Sequence, residues 1–215
     1  FHTSNKIVVF IVSEYATEGR RNRNMENSRK VTQLELYYDS MCPYSKKFIK
    51  NLLQPLMDSP LSKYVHLKMI PYGTANTIKS GAEETVKCTH GAKECYKDKI
   101  HACALHIFRK SIALKYISCM AVSESRIPKI EENCAKNNSL DLSIIEDCAN
   151  GKSGSKYLLE NGEVTNGLSP PLTQVPWVVF DGVYNPDKMY TALTDLRSAV
   201  CNEIGEAICL SIPAA

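Results

Sequence analysis

Apolar and polar residues alternate from Val31 onward: Leu34, Leu36 and Tyr38 interleave with Gln33, Glu35 and Tyr37, the two-residue period of a strand with one buried face. Asp39 and Ser40 close it. Beyond Cys42 and Pro43 the period changes. Phe48, Ile49, Leu52, Leu53 and Leu56 recur at helical spacing, and Pro43 suits a first helical turn, where a backbone N–H would have no partner anyway. A second strand is predicted over 64–72, with Val65, Leu67 and Met69 on one face and Pro71 and Gly73 ending it. Strand, helix, strand makes a parallel unit.

Residues 81–150 hold Cys88, Cys95, Cys103, Cys119, Cys134 and Cys148 among apolar positions such as Ile100, Ala104, Ile107, Phe108, Ile112 and Ile117, which repeat with helical period. This stretch reads as a disulfide-rich helical insert. Residues 151–167 are rich in Gly, Ser and Asn, with a turn signal at Asn161-Gly162, and are predicted to return the chain to the sheet as a loop. The apolar run 175–180 predicts a short strand, and Asp181-Gly182 before Val183-Tyr184 signals a hairpin with a type I′ turn. Asn185 and Pro186 supply an N-cap and a first-turn proline for one final helix carrying Met189, Leu193, Leu196 and Val200. The predicted order is β-α-β, helical insert, β-β-α, an α/β chain.

Residues 1–30 stand apart as an N-terminal extension, leaving 31–209 as the folded domain. Arg20, Arg21, Arg23, Arg29 and Lys30 lie among Asn, Gly and Ser; this reads as a solvated basic linker, with a basic arm for an anionic surface as the alternative. Residues 7–12 are apolar but far short of the roughly 20 residues a membrane span needs, and they fit the tail of a signal segment or an extra edge strand. Phe1 in place of Met points to a processed chain. The 26 Lys and Arg against 23 Asp and Glu leave a net charge of +3 over 215 residues, with no electrostatic footprint for nucleic acid. Nine cysteines at scattered spacings favour a disulfide framework and hence an oxidising compartment. The odd count leaves at least one of them free or paired outside the chain.

The candidate chemistry sits at Cys42. A cysteine where a strand hands over to a helix N-terminus meets unpaired backbone N–H groups and the positive end of the helix dipole, both of which favour the thiolate. In a dithiol enzyme the cysteine three residues on attacks the mixed disulfide and releases the reduced substrate; here that position is Ser45. Ser45 cannot form a disulfide, although its hydroxyl can hydrogen-bond a Cys42 thiolate. The setting favours a free, exposed Cys42 over one more structural half-cystine. The other eight cysteines, Cys201 and Cys209 among them, can pair fully, with the connectivity open. Pro176 opens a late strand at the place where thiol proteins of this build carry a cis-proline facing the cysteine; an edge-strand proline is the alternative.

His90, His101 and His106 beside Cys88, Cys95 and Cys103 raise zinc, but their spacings match no finger or ribbon. Disulfides are therefore the reading, with no metal and no cofactor expected. Gly151-Lys152-Ser153 resembles the end of a phosphate loop, yet Glu146 stands where that motif needs glycine. Asn137-Asn138-Ser139 is an N-glycosylation acceptor at Asn137.

The run Cys88-Thr89-His90-Gly91-Ala92-Lys93-Glu94-Cys95, continuing to Cys103, resembles the signature of the gamma-interferon-inducible lysosomal thiol reductase family, C-Q-H-G-x-x-E-C-x-x-N-x-x-x-x-C. Cys88, His90, Gly91, Glu94, Cys95 and Cys103 match at the correct spacing, whereas Thr89 replaces Gln and Asp98 replaces Asn. The tyrosine-rich strand before Cys42, the Pro71-Tyr72-Gly73 stretch and Val175-Pro176-Trp177 extend the likeness. The resemblance implies a thioredoxin-like fold with a helical insert, and reduction of protein disulfides in lysosomes or outside cells. The family's two active cysteines map onto Cys42 and Ser45.

The expectation is a secreted, extracellular or lysosomal glycoprotein whose degraded Cys42-Pro43-Tyr44-Ser45 site gives little or no dithiol turnover, acting instead by binding a protein or cell-surface partner. The alternative is a monothiol reductase or isomerase in which Cys42 engages a disulfide-containing protein substrate and an external thiol resolves the adduct.

Overall fold

Strand β1 (Thr32–Tyr38) forms the middle of a three-stranded sheet in the order β2-β1-β5. The computed structural model describes residues 30–121 and 127–213; the apolar run 7–12 and the linker up to Arg29 lie outside the described residues. β1 pairs in parallel with β2 (Val65–Pro71), from Thr32 opposite Val65 to Tyr38 opposite Pro71, and antiparallel with β5 (Trp177–Phe180), from Leu34 opposite Phe180 to Tyr37 opposite Trp177. The alternation of β1 predicts one polar face, but Glu35 and Tyr37 are buried as well. Helices close over the sheet. The Tyr37 hydroxyl donates to Glu35 Oε2 at 2.7 Å, so the buried carboxylate keeps a partner.

The helix after Cys42 is interrupted. α1 (Pro43–Phe48) passes through a π-helical stretch (Ile49–Leu53) into α2 (Gln54–Asp58) and a 3-10 turn (Pro60–Tyr64) before β2. Pro55 has no N–H to give to the carbonyl four residues back, and the wider turn just before it accommodates that gap. Phe48, Ile49, Leu53 and Leu56 all face the core.

Three departures from the sequence pattern shape the middle of the chain. First, β3 (Asn76–Ser80) and β4 (Glu83–Lys87) form an antiparallel hairpin around Gly81, whose φ is +63°, at the start of what reads as helical insert. Both strands are largely exposed and carry Thr, Lys and Glu, so they leave no apolar alternation to read. Second, residues 152–166 form a helix rather than a loop. The helices of this region are α3 (Ala92–Ile107), α4 (Lys110–Met120), α5 (Ile127–Asn137), α6 (Leu142–Asn150) and α7 (Lys152–Asn166). The glycines of α7 mark close packing rather than turns: a Cβ on Gly162 would sit 2.6 Å from the Tyr72 ring, and one on Gly154 would sit 2.7 Å from the Ala149 Cα. Third, Val183 makes only an isolated bridge to Phe180, so the expected hairpin has a turn but no second strand. Asp181 and Gly182 do take the positive φ values, 52° and 72°, that a type I′ turn needs.

The final helix is split. α8 (Pro186–Thr194) packs on β5, and α9 (Leu196–Ile204) packs on β1. Between them Asp195 accepts the Ser198 N–H at 3.0 Å and caps the second helix. α10 (Glu206–Leu210) follows.

Four disulfides bind these pieces: Cys88–Cys95 joins the end of the hairpin to α3, Cys103–Cys148 joins α3 to α6, Cys119–Cys134 joins α4 to α5, and Cys201–Cys209 joins α9 to α10. The second spans 45 residues, a loop whose closure stabilises the fold by about 4 kcal/mol on chain-entropy grounds.

Candidate active site

Cys42 occupies the N-cap position of α1 with extended backbone, followed by Pro43 in the first turn. It is the one free cysteine, and it is buried, at 8% exposure. The expectation of an exposed thiol is therefore corrected. Val175 covers it: the thiol donates to the Val175 carbonyl oxygen at 3.7 Å, and the peptide bond from Val175 to Pro176 is cis. Ser45 is fully buried, and its Oγ has no hydrogen-bond partner among the described residues, Cys42 included.

Two carboxylates hold the loop that presents the thiol. Asp39, at the end of β1, accepts the backbone N–H of Met41 at 3.0 Å and that of Cys42. Asp98, on α3, accepts the Ser40 N–H at 2.8 Å. Burial pushes the Asp39 carboxyl above the usual carboxylate range, with Glu94 adding to the rise and the two N–H bonds opposing it. Burial likewise carries Asp98 well above that range. Glu94 accepts both the backbone N–H and the Nδ1 of His90, a pairing that raises the His90 pKa. Beneath them, His101 pairs with the Tyr38 hydroxyl at 3.2 Å, and burial lowers its pKa to about 3, so it stays neutral.

The cysteine and histidine set that raises zinc in the sequence is not assembled. Cys88, Cys95 and Cys103 are in disulfides, His101 is paired with Tyr38, and His106 stacks on Tyr157 with ring centroids 3.7 Å apart. Asn137 is exposed near the end of α5.

Beside Val175 opens a groove of about 680 Å³, walled by Tyr44, Phe48 and Leu52 from the helix after Cys42, by Pro176, and by Leu193 of α8, with Lys47 its one charged lining residue. Sequence reading passes over Asp39, naming it only as a strand end, and meets Asp98 only as a departure from a signature. The available signal was an Asp three residues before a helix N-cap, a spacing that suits a side chain turning back onto the N–H groups ahead of it.

A lone thiol at a strand-to-helix junction, beside a cis Val-Pro bond at the same end of a mixed sheet, defines a thioredoxin-fold protein of the thiol–disulfide class. Solved structures of that class share the fold. The protein is similar to a DsbA from Chlamydia trachomatis with a TM-score of 0.54 and 11% identity, over 80% of this chain and 89% of that one. It is similar to BdbD from Bacillus subtilis with a TM-score of 0.56 and 8% identity, over 80% and 87%.

The sequence profile of the gamma interferon inducible lysosomal thiol reductase family matches residues 33–138. A gamma-interferon-inducible lysosomal thiol reductase-like protein of Anopheles gambiae is 31% identical over 195 residues, which cover 83% of this chain and 80% of that protein. A gamma-interferon-responsive lysosomal thiol protein of Arabidopsis thaliana is 34% identical over 172 residues, covering 79% and 70%. The chain belongs to the gamma-interferon-inducible lysosomal thiol reductase family.

Proposed function

We propose that this family member works as a monothiol: Cys42 captures a disulfide-bonded protein as a mixed disulfide, with little or no dithiol turnover. The Cys42 thiolate attacks one sulfur of the partner's disulfide, forming a new S–S bond and expelling the partner's second sulfur as a thiolate. An external thiol then attacks the adduct, regenerates Cys42 and carries off the captured sulfur as a second mixed disulfide. The supporting observation is that Cys42 keeps its N-cap position opposite the cis Val175–Pro176 bond while every other cysteine is bridged and Ser45 fills the resolving position. Lysosomal or extracellular residence and a glycan on Asn137 fit the disulfide framework.

Insulin reduction tests the reading, comparing the native chain with Ser45→Cys and trapping adducts by acid quench. The expected result is a persistent Cys42-linked insulin adduct with little turnover for the native chain, and catalytic turnover for the variant. Native turnover equal to the variant's overturns it. A second reading, a scaffold that binds its partner without covalent chemistry, is favoured by the cover of Val175 over the thiol. Partner binding retained in full by Cys42→Ala selects that reading.

A further inference from the structure

Three carboxylates meet beneath the Cys42 loop. Asp39 is 2% exposed, Glu94 1% and Asp98 0%. Asp39 ends β1, whereas Glu94 and Asp98 lie four residues apart on α3 and so share one helix face. Ligand-capable atoms of Asp39, His90 and Glu94 all lie within 4.8 Å of one another, and those of Cys88, Glu94 and Asp98 do likewise. Cys88 is a half-cystine and contributes no thiolate, so the converging donors are the His90 imidazole and the carboxylates of Asp39 and Glu94, with Asp98 reaching the group through Glu94.

The polar pairing of this cluster is incomplete. Burying a carboxylate is costly unless it is paired or ligates a metal. Among the described residues, the cations acting on the cluster are His90, half-exposed on its rim, and Lys97, on which Glu131 also acts. Within the cluster, Asp98 Oδ1 accepts the Ser40 N–H, while its Oδ2, wholly buried, has no hydrogen-bond partner among the described residues. That oxygen belongs to the residue that stands where the signature has Asn.

We infer that Asp39, His90 and Glu94, backed by Asp98, form a binding site for a divalent transition-metal cation of the zinc class. Zinc accepts imidazole nitrogen and carboxylate oxygen at about 2.0–2.2 Å in a tetrahedral set, and donor atoms already gathered within 4.8 Å need only a small inward shift to reach it. The half-exposed His90 ring supplies the entry side. The site is separate from the thiol chemistry and stands whether or not Cys42 forms adducts.

The test is calorimetric titration of the whole chain with Zn²⁺, and separately with Mn²⁺, in a Cys42→Ala background that removes the free thiol as a competing ligand. One Zn²⁺ per chain is expected, accompanied by a rise in melting temperature that a chelator reverses. His90→Ala is expected to abolish this site. Asp98→Asn, which keeps the side-chain shape and restores the signature residue, is expected to weaken it by about tenfold or more. Absence of binding at millimolar Zn²⁺ overturns the inference, as does binding that both His90→Ala and Asp98→Asn leave unchanged.

Discussion

The sulfur of Cys42 lies 3.7 Å from the carbonyl oxygen of Val175, close enough for the thiol to donate to it. Attack on a disulfide thus requires the sulfur to give up its proton and turn from this oxygen to the incoming disulfide. Iodoacetamide labelling followed by peptide mapping is expected to find one reactive cysteine per chain, Cys42, modified about tenfold or more slowly in the native protein than in denaturant. Labelling at any of the other eight without reductant would contradict the bridge assignment.

Ser45 carries a wholly buried hydroxyl without a partner among the described residues. Removing an unsatisfied buried polar group costs nothing in lost hydrogen bonds. Ser45→Ala is therefore expected to be neutral or stabilising, within about 1 kcal/mol, in urea denaturation. A loss well beyond that would mean that the hydroxyl is bonded in solution.

Gly162 tests the close approach of α7 to the sheet. Gly→Ala inside an exposed helix gains about 1 kcal/mol, but here the new methyl meets ring atoms of the fully buried Tyr72 at 2.6 and 2.9 Å. Tyr72 is further fixed by its 2.9 Å hydrogen bond to Thr77. Overpacking of this kind costs about 1–3 kcal/mol, so Gly162→Ala is expected to lower the melting temperature rather than raise it.

Glu131 gives the fold a pH dependence. Burial raises its pKa to about 7, with Lys97 opposing and Glu146 adding to the rise. Between the ordinary carboxylate range and about pH 7 the folded state therefore holds a proton that the unfolded state has released, and stability falls as pH rises through that window. Solvent near the carboxylate screens the effect, leaving about 1–2 kcal/mol. Glu131→Gln is expected to match the native protein at pH 4.5 and to exceed it at pH 8 in chemical denaturation. A native pH profile that the substitution leaves unchanged would assign the dependence elsewhere.

The parts of the fold legible in the sequence are those where burial and period coincide. β1, β2, β5 and the helix after Cys42 stand out because each sets apolar residues at a single spacing, and Pro43 and Pro186 mark helix starts through their missing N–H. The β3–β4 hairpin is invisible because it is held by backbone pairing between largely exposed strands. α7 is misread because Gly154 and Gly162 speak of turns in isolation and of close contact only once Ala149 and Tyr72 are placed beside them. The split at Asp195 hides within a continuous apolar period, since Leu193 and Leu196 both face inward on either side of the break. At the site, Cys42, Ser45 and Pro176 are conspicuous by local context and Asp39 is marked by its spacing before the helix, while Asp98 acts on the same loop from 58 residues away, a relationship that no local spacing encodes.

With eight of the nine cysteines locked in four bridges, any covalent event at cysteine has a single place to land. An electrophile, an oxidant and a partner's cysteine all compete for that atom, and occupation by one excludes the rest. The molecule can therefore carry one sulfur-borne message at a time, and its state can be read by a single mass shift on the intact chain.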